Sequence, residues 1–129
     1  MSTKKIIFTD KAPAPIGPYN QAVLVNETTL YTSGQIALHP ETMELVLDDI
    51  ETETKQVMEN MKAVLEAANM GFDNVVKTTI FIMDMNDFAR INTVYGSYFD
   101  EKTAPARETV QVACLPKNVN VEISMIAVK

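Results

Sequence analysis

One cysteine, one histidine and four glycines are all that the 129-residue chain offers of three residue types that often mark chemistry. A lone Cys114 rules out an internal disulfide, and His39 as the single histidine leaves no His/Cys zinc cluster. Gly17, Gly34, Gly71 and Gly96 stand too far apart for a G-x-G-x-x-G or P-loop fingerprint. Basic charge is also short: eleven Lys and Arg against seventeen Asp and Glu give a net charge of -6. That balance argues against non-specific nucleic-acid binding, where affinity comes mainly from cations neutralising phosphates. Long hydrophobic runs are missing too. The Ile6-Ile7-Phe8 run falls short of the roughly 7–15 apolar residues of a secretory signal. No window approaches the roughly 20 apolar residues of a membrane span. No repeat of solenoid period is present, and the Pro-rich residues 12–19 are too few to link domains. The expectation is a soluble, cytoplasmic protein with one domain over residues 1–129.

What remains is an ordinary globular composition, 47% apolar and 22% charged, long enough to bury about two-thirds of its unfolded surface. Residues 4–9, 20–26 and 29–36 read as strands, with Asn26-Glu27-Thr28 as a turn. Asp48 or Asp49 then caps a helix whose inner face is Ile50, Val57, Met61, Val64, Leu65 and Ala68. Gly71 stands where a left-handed C-terminal cap belongs. Glu51, Glu53, Glu59 and Glu66 form its outer, solvated face, with Lys55 paired to Glu51. A strand over 75–83 precedes a second helix, capped within 84–87, that turns Phe88, Ile91, Val94, Tyr95 and Tyr98 inward. Strands near 107–115 and 119–128 close the chain around a Pro116-Lys117-Asn118 turn. The order β-β-β-α-β-α-β-β predicts an α+β fold, a mixed sheet with two helices packed on one face. Residues 75–83 are apolar at both parities, and Ile126 and Val128 extend the uncovered face. A bare apolar face of that kind predicts a homo-oligomer.

Few residues can carry chemistry. Arg90 lies among polar helix positions and reads as a surface residue. Arg107 ends the Pro-stiffened segment Thr103-Ala104-Pro105-Ala106 at the start of a strand. Its planar fork suits a carboxylate, and composition alone favours an ordinary structural ion pair instead. Strand parity puts Arg107, Thr109 and Gln111 on one face, and Asn120, Glu122 and Ser124 on one face of the last strand. Paired across a hairpin, Arg107 and Glu122 stand near each other as a site, but the residues alone favour a Glu122 that simply faces solvent or is salt-bridged to Arg107. Thr32-Ser33-Gly34-Gln35 closes a strand where backbone can approach a ligand, without a G-x-S-x-G elbow. Cys114 reads as a small buried hydrophobe, His39 as a solvated loop residue, and Met58 and Met61 as core filling.

The chain also resembles a known family over essentially its whole length. Residues 14–22 (Ala-Pro-Ile-Gly-Pro-Tyr-Asn-Gln-Ala), Thr32-Ser33-Gly34-Gln35-Ile36, Asn69-Met70-Gly71, Asp84-Met85-Asn86-Asp87-Phe88, Asn92-Thr93-Val94-Tyr95, Pro105-Ala106-Arg107 and Val121-Glu122-Ile123 occur in the order found in the reactive intermediate deaminases. These are the Rid proteins, and the match is to the RidA (YjgF) group. The resemblance implies a chorismate-mutase-like fold assembled as a homotrimer with sites between subunits. It implies hydrolysis of enamines and imines such as 2-aminoacrylate, released by pyridoxal-phosphate enzymes, to 2-keto acids and ammonia, with no cofactor or metal. Its implied roles are Arg107 holding the substrate carboxylate and Glu122 polarising the attacking water. Backbone at Ser33 and Gly34 contacts the acid, and Tyr19 and Asn92 shape the pocket. Thr109 stands where many relatives carry cysteine, and Cys114 does not replace it, so a thiol-dependent role is closed. Two alternatives remain: a non-catalytic 2-keto-acid-binding regulator, and a ribonuclease or translation inhibitor, which the acidic balance disfavours. A holdase-like role leaves no sequence mark.

Overall fold

The computed structural model describes residues 2–129. Strands β1 (Lys4–Ile7), β2 (Ala22–Val25) and β3 (Thr29–Thr32) precede α1 (Ile50–Ala67), β4 (Val75–Ile82), α2 (Phe88–Gly96), β5 (Ala106–Gln111) and β6 (Val121–Val128). The expected order of elements is therefore the observed one, with shorter opening strands. The six strands form one sheet in the order β1-β2-β3-β6-β4-β5. Among the described residues only β4 and β5 run parallel. No helix among the described residues is long and apolar enough to cross a membrane.

Alternation decides which face each strand buries. Thr78, Ile80 and Ile82 of β4 and Val121, Ile123, Met125 and Ala127 of β6 lie beneath the helices, all buried. Against them α1 packs Val57, Met58, Met61, Val64 and Leu65, each fully buried. The mixed sheet with both helices on one face is thus present. The opposite face keeps Ile6, Tyr31, Val110 and Val128 substantially exposed. One end of it is covered after all: a smaller cluster of Ile36, Leu38, Leu115 and Val119 packs there with Phe81 and Met83.

Three local expectations are corrected. Asp49 caps α1, its side chain accepting from Thr52 N–H at 2.7 Å, but Gly71 is not the C-terminal cap. The left-handed residue is Asn69, φ 58°. Its N–H donates to Glu66 O and the N–H of Met70 to Leu65 O, each at 2.9 Å, the paired bonds of a Schellman ending. Asn serves because its short amide tolerates the left-handed region. Glu53 does not face solvent: it is fully buried, on the same stripe as Val57, Asn60 and Val64. Glu51 pairs with Arg90, not Lys55, through two bonds of 2.9 and 2.7 Å.

The β2–β3 turn carries a removable strain. Asn26 and Glu27 both hold positive φ, 52° and 62°, and Thr28 N–H donates to Val25 O at 3.1 Å, a type I′ arrangement. A left-handed non-glycine costs about 1–2 kcal/mol, and the entropy of a glycine offsets about 0.4–1 of it. Glu27→Gly is therefore expected to stabilise the fold by about 0.5 kcal/mol. Urea unfolding at fixed protein concentration measures it, and a lowered midpoint would contradict the turn geometry.

Candidate functional site

The residues singled out in the sequence fall into two clefts on opposite faces of the sheet. Arg107 is in register with Thr78, on the helix-covered face. Glu122 is in register with Phe81, on the other. The hairpin expected to bring them together does not form. After β5 the chain crosses over β4, so β6 lies between β3 and β4 and never pairs with β5. Nor does Arg107 form the structural ion pair that composition favours: among the described residues it meets no carboxylate within bridging distance.

The Arg107 side is held by α2. One guanidinium nitrogen, Nη1, donates to Asn92 Oδ1 at 2.6 Å. The guanidinium carbon lies 5.2 Å from the ring centroid of Tyr95 and 5.5 Å from that of Phe88, within reach of cation–π attraction. These contacts orient the fork and leave most of its donors free, with the side chain exposed beside a cleft of about 490 Å³. Burial raises the Tyr95 phenol above its ordinary range, against the lowering effect of its bond to Thr78 and of the Arg107 charge. Thr109 sits two residues along the same face, its hydroxyl oxygen buried without a hydrogen-bond partner.

The Glu122 side is a cleft of about 370 Å³, walled by Pro13, Ala14, Tyr19, Ile36 and Pro116, with Gly34 beside the carboxylate. Three buried polar side chains build it. Gln21 ties down the Pro-rich wall, donating to Thr9 O and Pro13 O at 2.9 Å each and accepting from Thr9 N–H at 2.7 Å. Asn60 of α1 donates to Leu38 O at 2.9 Å and Ile36 O at 3.2 Å. Glu53 accepts from Asn120 N–H at 2.8 Å and Nδ2 at 2.7 Å, fixing the chain just before β6. The Ser33 hydroxyl is engaged with Asn20 O at 2.5 Å. Tyr19 stands at the exposed rim, its hydroxyl accepting from Ile16 N–H at 3.4 Å.

Glu122 itself is half-buried, with no hydrogen-bond or cationic partner among the described residues. Desolvation raises its carboxyl above the ordinary carboxylate range. A desolvated carboxylate with free lone pairs beside an apolar cleft is suited to accept a proton from water. The pieces are therefore an exposed guanidinium with free donors on one side of the sheet and a desolvated, unpartnered carboxyl on the other.

Two remaining assignments change. Cys114 is exposed, in the turn beyond β5, because the strand ends at Gln111 and the chain peels away towards Pro116. His39 is half-buried and caps its own turn, Nδ1 accepting from Glu41 N–H at 3.2 Å. Among the described residues no three side chains are grouped as metal ligands. Sequence reasoning misses the two-sided placement of Arg107 and Glu122, and the anchors Gln21, Glu53 and Asn60. Position 53 does fall on the inner helical stripe with 57, 60 and 64, a signal that its charge conceals.

A family model described as Endoribonuclease L-PSP matches residues 9–129. A RutC family protein from Synechocystis is 58% identical over 127 residues, covering 98% of this chain and 97% of its own length. A mouse protein named 2-iminobutanoate/2-iminopropanoate deaminase is 48% identical over 126 residues, covering 98% of this chain and 92% of its own. The crystal structure of TdcF from E. coli with bound serine matches with a TM-score of 0.90 at 46% identity. It covers 97% of this chain and 98% of its own.

Proposed function

The chain belongs to the Rid (YjgF) family, and from that premise we propose that it hydrolyses small 2-imino and 2-enamino acids to 2-keto acids and ammonia. The observation that carries this reading is the unpartnered Glu122 carboxylate, half-buried and raised by desolvation at the wall of an apolar cleft. Arg107, whose free donors face outward from the opposite side of the sheet, holds the substrate carboxylate through its fork. Because these two groups occupy opposite faces of one protomer, a complete site takes Arg107 from one subunit and Glu122 from its neighbour. A homotrimer meets that requirement, with a closed rotation carrying one face onto another. The exposed Ile6, Tyr31, Val110 and Val128 on the bare sheet face support such packing.

The chemistry is within reach of so few groups. Glu122 accepts a proton as water oxygen bonds to the carbon of the protonated imine, C=NH2+, and the C=N electron pair moves to nitrogen, which gives a neutral carbinolamine. In the resulting carbinolamine the C–N bond then breaks, its electrons leaving with nitrogen. The proton held by Glu122 returns to that nitrogen, a hydroxyl proton is released, and ammonia and a keto acid result. Imines hydrolyse unaided, so holding water against an anchored substrate supplies much of the acceleration. Thr109, Asn92 and Tyr19 complete the proposed pocket, with backbone at Ser33 and Gly34 touching the bound acid.

Neither cleft favours RNA: the Glu122 cleft is lined by no Lys or Arg, and the other by Arg107 alone. The test is a threonine dehydratase assay with the purified protein added. Faster 2-ketobutyrate release and less semicarbazide-trapped imine are expected. Keto-acid binding with no change in either would overturn hydrolysis and leave a sensor.

A further inference from the structure

We propose that Gly34 is a positioning residue for the Glu122 carboxylate, which occupies the space that a side chain at position 34 would fill. The proposal rests on the reading of Glu122 as the base that activates water. A Cβ added to Gly34 would lie 2.8 Å from Glu122 Cδ, 2.9 Å from Oε2 and 3.0 Å from Cγ. Comfortable carbon contacts run at about 3.5–4.0 Å, so any side chain here forces something to move.

The backbone is not free to yield. Before Gly34, the Ser33 N–H donates to Gln21 O at 2.9 Å and its hydroxyl to Asn20 O at 2.5 Å. After it, Gln35 and Ile123 exchange both backbone bonds, at 2.8 and 3.1 Å. Glu122 is fixed at its own backbone by the β4–β6 ladder, in register with Phe81. The group left to move is the carboxylate end of Glu122, which no hydrogen bond restrains among the described residues. Gly34 does not adopt positive φ, so alanine can take its backbone conformation without strain. Glycine is required at this position for space rather than for backbone freedom.

The consequence is a device for orienting a base without a hydrogen bond. A donor such as a backbone N–H would hold the carboxylate but use a lone pair and lower its basicity. A bare glycine wall sets the orientation by close fit and leaves both oxygens available to water and substrate. Moving that carboxylate by even an ångström separates base from water.

Gly34→Ala tests this in the intact protein. The variant is expected to fold with unchanged assembly and to lose roughly 10- to 100-fold in kcat. Its affinity for 2-ketobutyrate, by calorimetry, should stay within about twofold, because Arg107 holds the ligand carboxylate and alanine keeps the backbone of position 34 that touches the acid. Added to Glu122→Ala, the same substitution should cost no further activity, since no carboxylate remains to displace. An unchanged kcat, failure to fold, or an equal loss in both backgrounds would overturn the proposal. The last result would mean that the added methyl group acts on the ligand directly and not through Glu122. If Glu122→Ala keeps the full rate, the reading of Glu122 as base fails first and takes this proposal with it. If Glu122→Ala is inactive and Gly34→Ala is not impaired, the positioning role alone fails.

Discussion

Arg107→Ala is expected to lower kcat/KM for 2-iminobutanoate by roughly 30- to 5,000-fold. Truncating one partner of a desolvated, hydrogen-bonded charge pair costs about 2–5 kcal/mol, at about 1.36 kcal/mol per decade of rate. The free guanidinium is oriented by Asn92 and by two aromatic rings and is not consumed by an acid. Removing it therefore deletes the anchor and leaves no carboxylate of the protein orphaned. On the proposed reading, the net charge of -6 gives Arg107 its importance, because the overall field would repel an anionic substrate and attraction would have to be supplied at short range. Arg107→Lys retains the charge without the planar fork and should recover only part of the loss. Initial rates in the dehydratase assay read the effect, with 2-ketobutyrate affinity expected to fall in parallel. Wild-type rates in Arg107→Ala would remove this residue from the proposed chemistry.

The elements of the fold are legible in the sequence because each depends on local periodicity. The 3.6-residue spacing of Val57, Met61, Val64 and Leu65 and the alternation of Val121, Ile123 and Met125 bury the faces expected of them. Pairing is not legible from adjacency. Residues 107–128 read as a hairpin, yet β5 lies parallel to β4 on the far side of α2 and β6 pairs elsewhere. A signal is present: two parallel strands require a crossover, commonly a helix, and β4–α2–β5 is one. Charge assigns Glu53 to solvent, whereas its helical phase places it inside, where Asn120 supplies two donors. The candidate residues themselves come from the motif series, since periodicity gives a side chain's face and not its task. What neither periodicity nor motif shows is that Arg107 and Glu122 are separated by the thickness of the sheet. That follows from register alone.

Glu122→Gln is expected to reduce kcat roughly 10²- to 10⁴-fold, the range for removal of a general base, while 2-ketobutyrate still binds. The amide has nearly the same shape, so it keeps the cleft and loses only the capacity to take a proton. In the native protein, the proposed activity should fall as pH drops through the raised carboxyl pKa, because protonation would disable Glu122 as a base. Stability runs the other way. A carboxyl whose folded pKa is raised binds more protons in the native state, so its contribution is full below the unfolded value and lost as pH rises through the folded one. Glu122→Gln should therefore be at least as stable as the native protein near neutral pH, with any advantage disappearing on acidification below about pH 4. Parallel melts at both pH values check the sign. A kcat that stays within about twofold of native would exclude Glu122 as the base. The same variant also tests where the site lies. Arg107→Ala and Glu122→Gln, each strongly impaired alone, can be unfolded, mixed in equal amounts and refolded together. If each site draws one group from each of two neighbouring subunits, random assembly restores about a quarter of the native sites, since each group is intact with a chance of about one half. A site contained within one subunit would restore none.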